Sequence, residues 1–233
     1  MNPLGNPLAL QTKLAQQLAL MLRGWLRDEI RLRTLRAGTQ SSEAWSLVQR
    51  AEKMRKDADT LDHAGKSVDA AHQLASADSV LAQAEGLDHQ WAEPIIARGQ
   101  IALQQEKMTN DPAEVRRQID AGMAHANRAI ALDPRNPDAL ELRGTLYTRP
   151  IANGLVPDQR KVDDLLRSAE TDLRAAIALN PTQAGALYVL STVQYQKGAN
   201  RLEALNLAQR AYEADAYLTA APQILWGLSL IHI

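Results

Sequence analysis

His125–Tyr147 reads HANRAIALDPRNPDALELRGTLY: a helix, a tight break and a second helix. Ala126, Ala129, Ile130 and Leu132 fall near one face at helical spacing. Asp133-Pro134 stops that helix, because proline has no N–H to donate and pushes its predecessor out of the α region. Asn136-Pro137-Asp138 starts the next one: Asn136 suits the cap and Pro137 the first turn. The phrase returns as LRAAIALNPTQAGALYVLSTVQY at Leu173–Tyr195 and more loosely as LAQAEGLDHQWAEPIIARGQIAL at Leu81–Leu103. A worn copy is AQRAYEADAYLTAAPQILWGL at Ala208–Leu228.

Two sets of small residues keep step through these copies. In the second helices Ala84, Ala129, Ala176 and Ala211 lie 45, 47 and 35 residues apart. In the first helices Ala51, Gly99, Gly144 and Ser191 lie 48, 45 and 47 apart. The spacing predicts stacked helix pairs. The extra length falls near residues 59–66, 105–113 and 149–160, between the two helices of a unit. Insertions there lengthen a pair or its loop without breaking the stack.

The rest of the chain is read around this frame. A long amphipathic helix is expected over Leu8–Arg36, with Leu14, Leu18, Met21, Leu22, Trp25, Leu26 and Ile30 as its apolar stripe. Further helices are expected at Ser42–Thr60, Val68–Glu85, Ala92–Lys107, Ala113–Leu132, Pro137–Tyr147, Val162–Leu179, Gln183–Lys197, Arg201–Glu213 and Ala221–Leu230. Ala71, Ala75, Ala82 and Ala84 are read as a close-packing face, and Arg149–Asp158 as a loop. No segment alternates with period two, so no sheet is expected.

Composition narrows the function. Of 233 residues 45% are hydrophobic but only 4% aromatic, with no Phe, so alanine and leucine supply the core. A net charge of −1 offers no basic field for nucleic acid. The absence of Cys removes disulfides and thiolate chemistry and fits a reducing, cytoplasmic compartment. In residues 1–26, Gln11, Lys13, Gln16, Gln17 and Arg23 interrupt the apolar runs, so neither a signal peptide nor a membrane helix is read there.

On Leu140, Gly144, Ala169, Ala176 and Pro181 the chain resembles the tetratricopeptide-repeat (TPR) family. Leu187, Ser191, Ala204 and Ala211 carry the same pattern, with Ala216 where proline is usual. Ile95, Gly99 and Pro134 carry it again, and the first unit, with His89 at the proline position, is weakest. The 35-residue interval matches that family's period. The resemblance covers about residues 42–228. It implies an all-α, TPR-like right-handed solenoid of about four helix pairs, behind a long N-terminal connector helix in residues 1–41. It further implies a non-catalytic scaffold that binds a peptide or partner helix in a concave groove. The phrase from Leu10 to Ala51 is similar to the lead-in to repeats in bacterial Ser/Thr kinase and cyclase-type signalling proteins. It suggests the alternative of a regulatory C-terminal region. No kinase motif is present. The apolar tail at 229–233 reads as a truncation or artefact.

Chemistry is not expected, and neither is a cofactor or metal. His63, His72, His89, His125 and His232 make no HExxH pair. Gly65-Lys66-Ser67 lacks the earlier glycine of a phosphate loop and reads as a helix-start turn. Asp163-Asp164, Glu170, Asp57 and Asp59 read as solvated helix faces. By the resemblance, the groove would be lined by Glu93, Ile96 and Gln100, by Asp138, Glu141 and Thr145, and by Tyr188, Thr192 and Tyr195. Trp45, Val48, Glu52, Arg55, Leu103, Thr148 and Gly185 hold related positions. The family's Lys/Asn carboxylate clamp is missing: its positions hold Val48/Glu52, Ile96/Gln100, Glu141/Thr145 and Tyr188/Thr192. A peptide with basic and apolar side chains would suit such a groove. Tyr188 and Tyr195 either face it or pack on neighbouring helices.

Overall fold

A computed structural model describes residues 38–198 and 200–215. The expected Leu8–Arg36 helix, the Ala221–Leu230 helix and residues 229–233 lie outside them. Among the described residues there are eight helices and no strand. They are α1 Ser42–His63, α2 Ser67–Leu87, α3 Glu93–Lys107, α4 Pro112–Leu132, α5 Pro137–Ala152, α6 Gln159–Leu179, α7 Ala184–Lys197 and α8 Arg201–Ala214. None is long and apolar enough to cross a membrane.

Local chemistry sets most boundaries. Ser41, Asp111, Asn136, Asp158 and Asn200 cap α1, α4, α5, α6 and α8, each accepting a first-turn backbone N–H on its side-chain oxygen. Gly65 takes φ +75° just past α1, and the Lys66 N–H then reaches the Leu61 carbonyl at 2.9 Å. That closes the helix in a left-handed turn that glycine adopts without strain. The extra length between the helices of a unit proves to be mostly helix: α1 runs on to His63 before a short link.

Two expectations need correction. The helix at Pro137 does not stop at Tyr147 but continues to Ala152, with Pro150 inside it. Arg149 and Asn153 both hold Glu106 of α3, and those contacts fix the last turn despite the N–H that Pro150 lacks. On α2 the close-packing alanines are Ala70, Ala77 and Ala84, whereas Ala71, Ala75 and Ala82 are exposed. Alanines seven residues apart return to the same side of a helix, and that is the side α1 covers.

Short links make the helices antiparallel pairs: α1/α2, α3/α4, α5/α6 and α7/α8. All eight marker residues are buried, as close approach at each crossing requires. Along one side the first helices of successive units pack backbone to backbone, α1 to α3, α3 to α5 and α5 to α7, while the second helices are set wider apart and meet through long side chains, Arg128 with Glu85 and Arg174 with Glu203. The stack therefore curves, with the first helices on its inner side.

Ion pairs tie the units together. Arg98 of α3 holds Asp78 of α2 through two nitrogens at 2.8 and 3.2 Å, and Glu85 at 3.0 Å. Arg128 of α4 also reaches Glu85. Arg143 of α5 grips Asp172 of its own pair at 2.7 and 2.9 Å and reaches back to Asn127 of α4 at 3.2 Å.

Glu170 of α6 collects Lys197 Nζ at 2.5 Å, Gln194 Nε2 at 2.7 Å and Arg174 Nε at 2.8 Å. Partial burial alone would raise its pKa, but the bonds from Lys197, Arg174 and Gln194 outweigh it and bring the carboxyl down to about 2. Because the folded value lies below the ordinary 4.5, this stabilisation is complete above pH 4.5 and fades as the pH falls toward 2. Glu170→Gln is expected to lower the urea midpoint at neutral pH, and its gap from the wild type should narrow between pH 4.5 and 2. A gap as wide at the acid end of that range as at neutral pH would refute the assignment.

Candidate functional site

The inner face of α3, α5 and α7 encloses a recess of about 510 Å³. Gln100, Leu103 and Lys107 come from α3. The floor is α5, with Asp138, Glu141, Leu142, Thr145, Thr148 and Arg149. The far wall is α7, with Tyr188, Val189, Thr192 and Gln196. Residues three and four apart share a helix face, so each helix delivers a column of side chains.

The nine groove residues named from the sequence do not all reach this recess. Gln100, Asp138, Glu141, Thr145, Tyr188 and Thr192 line it. Glu93 lines a smaller adjoining hollow of about 90 Å³ with Glu52 and Arg55, and Gln100 belongs to both. Ile96 is 1% exposed and sits in the core with Ala126 and Leu142, so no ligand reaches it. Tyr195 is 46% exposed but is not on the recess wall. Tyr188 does both things considered for it: it lines the recess and packs on the core around Leu187.

Ile96 shows a general feature. Val48, Ile96, Glu141 and Tyr188 hold equivalent places in the four first helices, and that column turns inward. Val48 and Ile96 are buried, and Glu141 and Tyr188 are half-buried. Glu141 is the polar member, and a seat is built for it. Its Oε2 accepts Gln183 Nε2 at 2.7 Å, and the Ala186 backbone N–H, in the first turn of α7, donates to the same carboxylate. Gly185 makes the room: a Cβ there would collide with Glu141 Oε1. Glu141 thus caps α7 from the neighbouring unit. Burial raises its pKa, and the nearby Asp138 carboxylate adds to that against the bonds from Gln183 and Ala186. Asp138 Oδ1 shares the same Gln183 amide at 2.6 Å.

Sequence reasoning did not name Lys107, Arg149, Val189 or Gln196 as groove residues. α5 runs past its expected end at Tyr147 and carries Arg149 into the recess, Lys107 and Gln196 lie one turn beyond Leu103 and Thr192, and Val189 sits mid-helix beside Tyr188. The lining mixes apolar and polar side chains; Asp138, Glu141, Thr148 and Arg149 have partners within the protein, and others do not. Among the described residues Gln100, Lys107 and Gln196 make no hydrogen bond or ion pair, and neither does the Thr145 hydroxyl. Thr192 instead turns its hydroxyl to the Val189 carbonyl at 2.7 Å. Among the described residues no cluster of His, Cys, Asp or Glu is arranged to hold a metal ion.

No known family's profile matches the chain, and no curated protein matches it. Solved structures do. TTC0263, a thermophilic TPR protein of Thermus thermophilus, is 15% identical, with 78% of this chain and 82% of that chain covered and a TM-score of 0.57. MamA is 16% identical over 73% of this chain and 81% of that one, with a TM-score of 0.45. YrrB, a TPR protein with an unusual peptide-binding site, is 15% identical over 77% of this chain and 97% of its own, with a TM-score of 0.27. The last two superpose too loosely to carry weight. The first, with the eight paired helices, identifies the fold as an all-α, TPR-like solenoid.

Proposed function

We propose that this TPR-like solenoid is a non-catalytic scaffold that binds a segment of a partner protein in the recess between α3, α5 and α7. The observation that carries the reading is the recess itself. Its volume lies in the range of ligand sites, roughly 300–1,000 Å³. Leu103, Leu142 and Val189 give it apolar surface, and its free amides and hydroxyl can bond to a peptide backbone. Tyr188 adds an aromatic anchor of the kind enriched at binding hot spots. Basic and apolar side chains suit the Asp138, Glu141 and Glu93 end. In this reading residues 42–228 form one interaction unit, and residues 1–41 lead into it.

Thr145 is the right place to test the reading. It lies mid-recess on α5, is half-buried, and commits its hydroxyl to no partner among the described residues. Peptides selected from a random display library on the full chain should bind Thr145→Arg at least about tenfold more weakly, with an unchanged melting curve. Selected peptides that bind both proteins equally would place the site elsewhere. Glu141→Lys is less informative, because Glu141 also caps α7.

A further inference from the structure

The recess is electrically polarised from one end to the other. At the N-terminal end of α5 stand Asp138 and Glu141, with Glu93 close by on α3. Asp138 and Glu141 share only the neutral Gln183 amide, and no cation pairs with either or with Glu93 among the described residues. At the C-terminal end the order of charge is reversed. Arg149 is neutralised by Glu106, but the ammonium of Lys107 is exposed and makes no ion pair among the described residues. The middle, between Thr145 and Tyr188, is uncharged.

Distance sets the length of what fits. Asp138 and Arg149 mark the two ends on α5, and at about 1.5 Å per residue they lie roughly 16 Å apart along the helix. An extended chain advances about 3.3–3.6 Å per residue, so the interval spans about five residues.

Building on the recess as the binding site, we infer that it orients its partner by charge. The bound segment is extended, with a Lys or Arg side chain at the Asp138 end. About five residues away, at the Lys107 end, it carries an acidic side chain. Half-exposed charge pairs each contribute little to affinity, but reversing the ligand would set like charges together at both ends. The consequence is orientation more than strength.

Two capped fluorescent hexapeptides of identical composition test this on the full chain: Ac-Lys-Thr-Leu-Thr-Val-Asp-NH2, with its charges five residues apart, and Ac-Thr-Thr-Lys-Asp-Leu-Val-NH2, with them side by side. They are supplemented by a display library that is random in all positions. Wild type should enrich library peptides with opposite charges at opposite ends. It should also separate the two hexapeptides by about fivefold in Kd at low salt, with the difference shrinking as salt rises. Lys107→Glu, a change at an unpartnered surface residue, should abolish the separation and shift the selection to peptides that are basic at both ends. Enrichment that Thr145→Arg eliminates, but without opposite charges about five residues apart, would overturn the orientation and leave the recess reading standing. Enrichment indifferent to Thr145→Arg, or none at all, would overturn both. A preference unchanged by Lys107→Glu would overturn the role given to that end.

Discussion

Arg149→Ala should destabilise the protein by about 3 kcal/mol, because it strands a buried carboxylate. Glu106 is 1% exposed, and Arg149 meets it with two parallel bonds, Nε to Oε2 and Nη2 to Oε1, each 2.9 Å. Asn153 Nδ2 adds a third at 2.6 Å. Removing the guanidinium leaves one neutral donor for a full charge inside the joint of α3 and α5. For a chain of this length the loss corresponds to a fall in Tm of about 6–12 °C by thermal circular dichroism. The double change Glu106→Leu with Arg149→Met should recover most of it, since a buried pair often gives no net gain over well-packed apolar side chains. An Arg149→Ala protein that melts with the wild type would mean that Glu106 is not held as described.

Gly144→Ala should cost about 2 kcal/mol net, although alanine is the better helix former by up to about 1 kcal/mol. A Cβ on residue 144 would lie 2.7 Å from Leu173 Cγ and 3.3 Å from the Ala169 carbonyl oxygen. Leu173 is fully buried, so it has no free side to move into. The clash is with a branch point and a backbone atom, which give less readily than the end of a side chain. Gly86→Ala is the matched control: nothing lies within 4 Å of its would-be Cβ, and it should stabilise slightly. In a double-mutant cycle, Leu173→Ala should cost less beside Ala at 144 than alone, by about 1 kcal/mol. If Gly144→Ala raises the urea midpoint as Gly86→Ala does, α5 and α6 are not in the contact described.

Much of the scaffold was legible because it repeats. A small residue that recurs every unit must answer a contact that recurs every unit, and Ala51, Gly99, Gly144 and Ser191 are all buried at such contacts. Caps were legible for a local reason: Asn136 and Ser41 need only the next few residues to act. The Glu106–Arg149–Asn153 joint left no such trace. Its members are far apart in sequence and occur once, so no period announces them, and Pro150 argued against the helix that carries Arg149. The candidate site was partly legible for the same reason. The family resemblance, applied to the repeat frame, implied Gln100, Asp138, Thr145 and Thr192 on the inner face. It could not show that the column of Val48 and Ile96 rotates into the core, nor that Gly185 leaves space for Glu141 to lean across to the next unit. Those depend on packing between helices, which pairwise spacing does not encode.

The inner helices pack closely while the outer ones are bridged by exposed side-chain ion pairs, Arg128–Glu85 and Arg174–Glu203, and this asymmetry determines where the molecule can give. In a bent strip whose concave layer is continuous, the length of that layer hardly changes, and flexing opens or closes the gaps on the other side. The solenoid can therefore sway, or yield to a load on its ends, by spreading α2, α4, α6 and α8. The spacing of α3, α5 and α7, and so the dimensions of the recess, stays close to constant. Compliance lies on the convex side and constancy on the concave side.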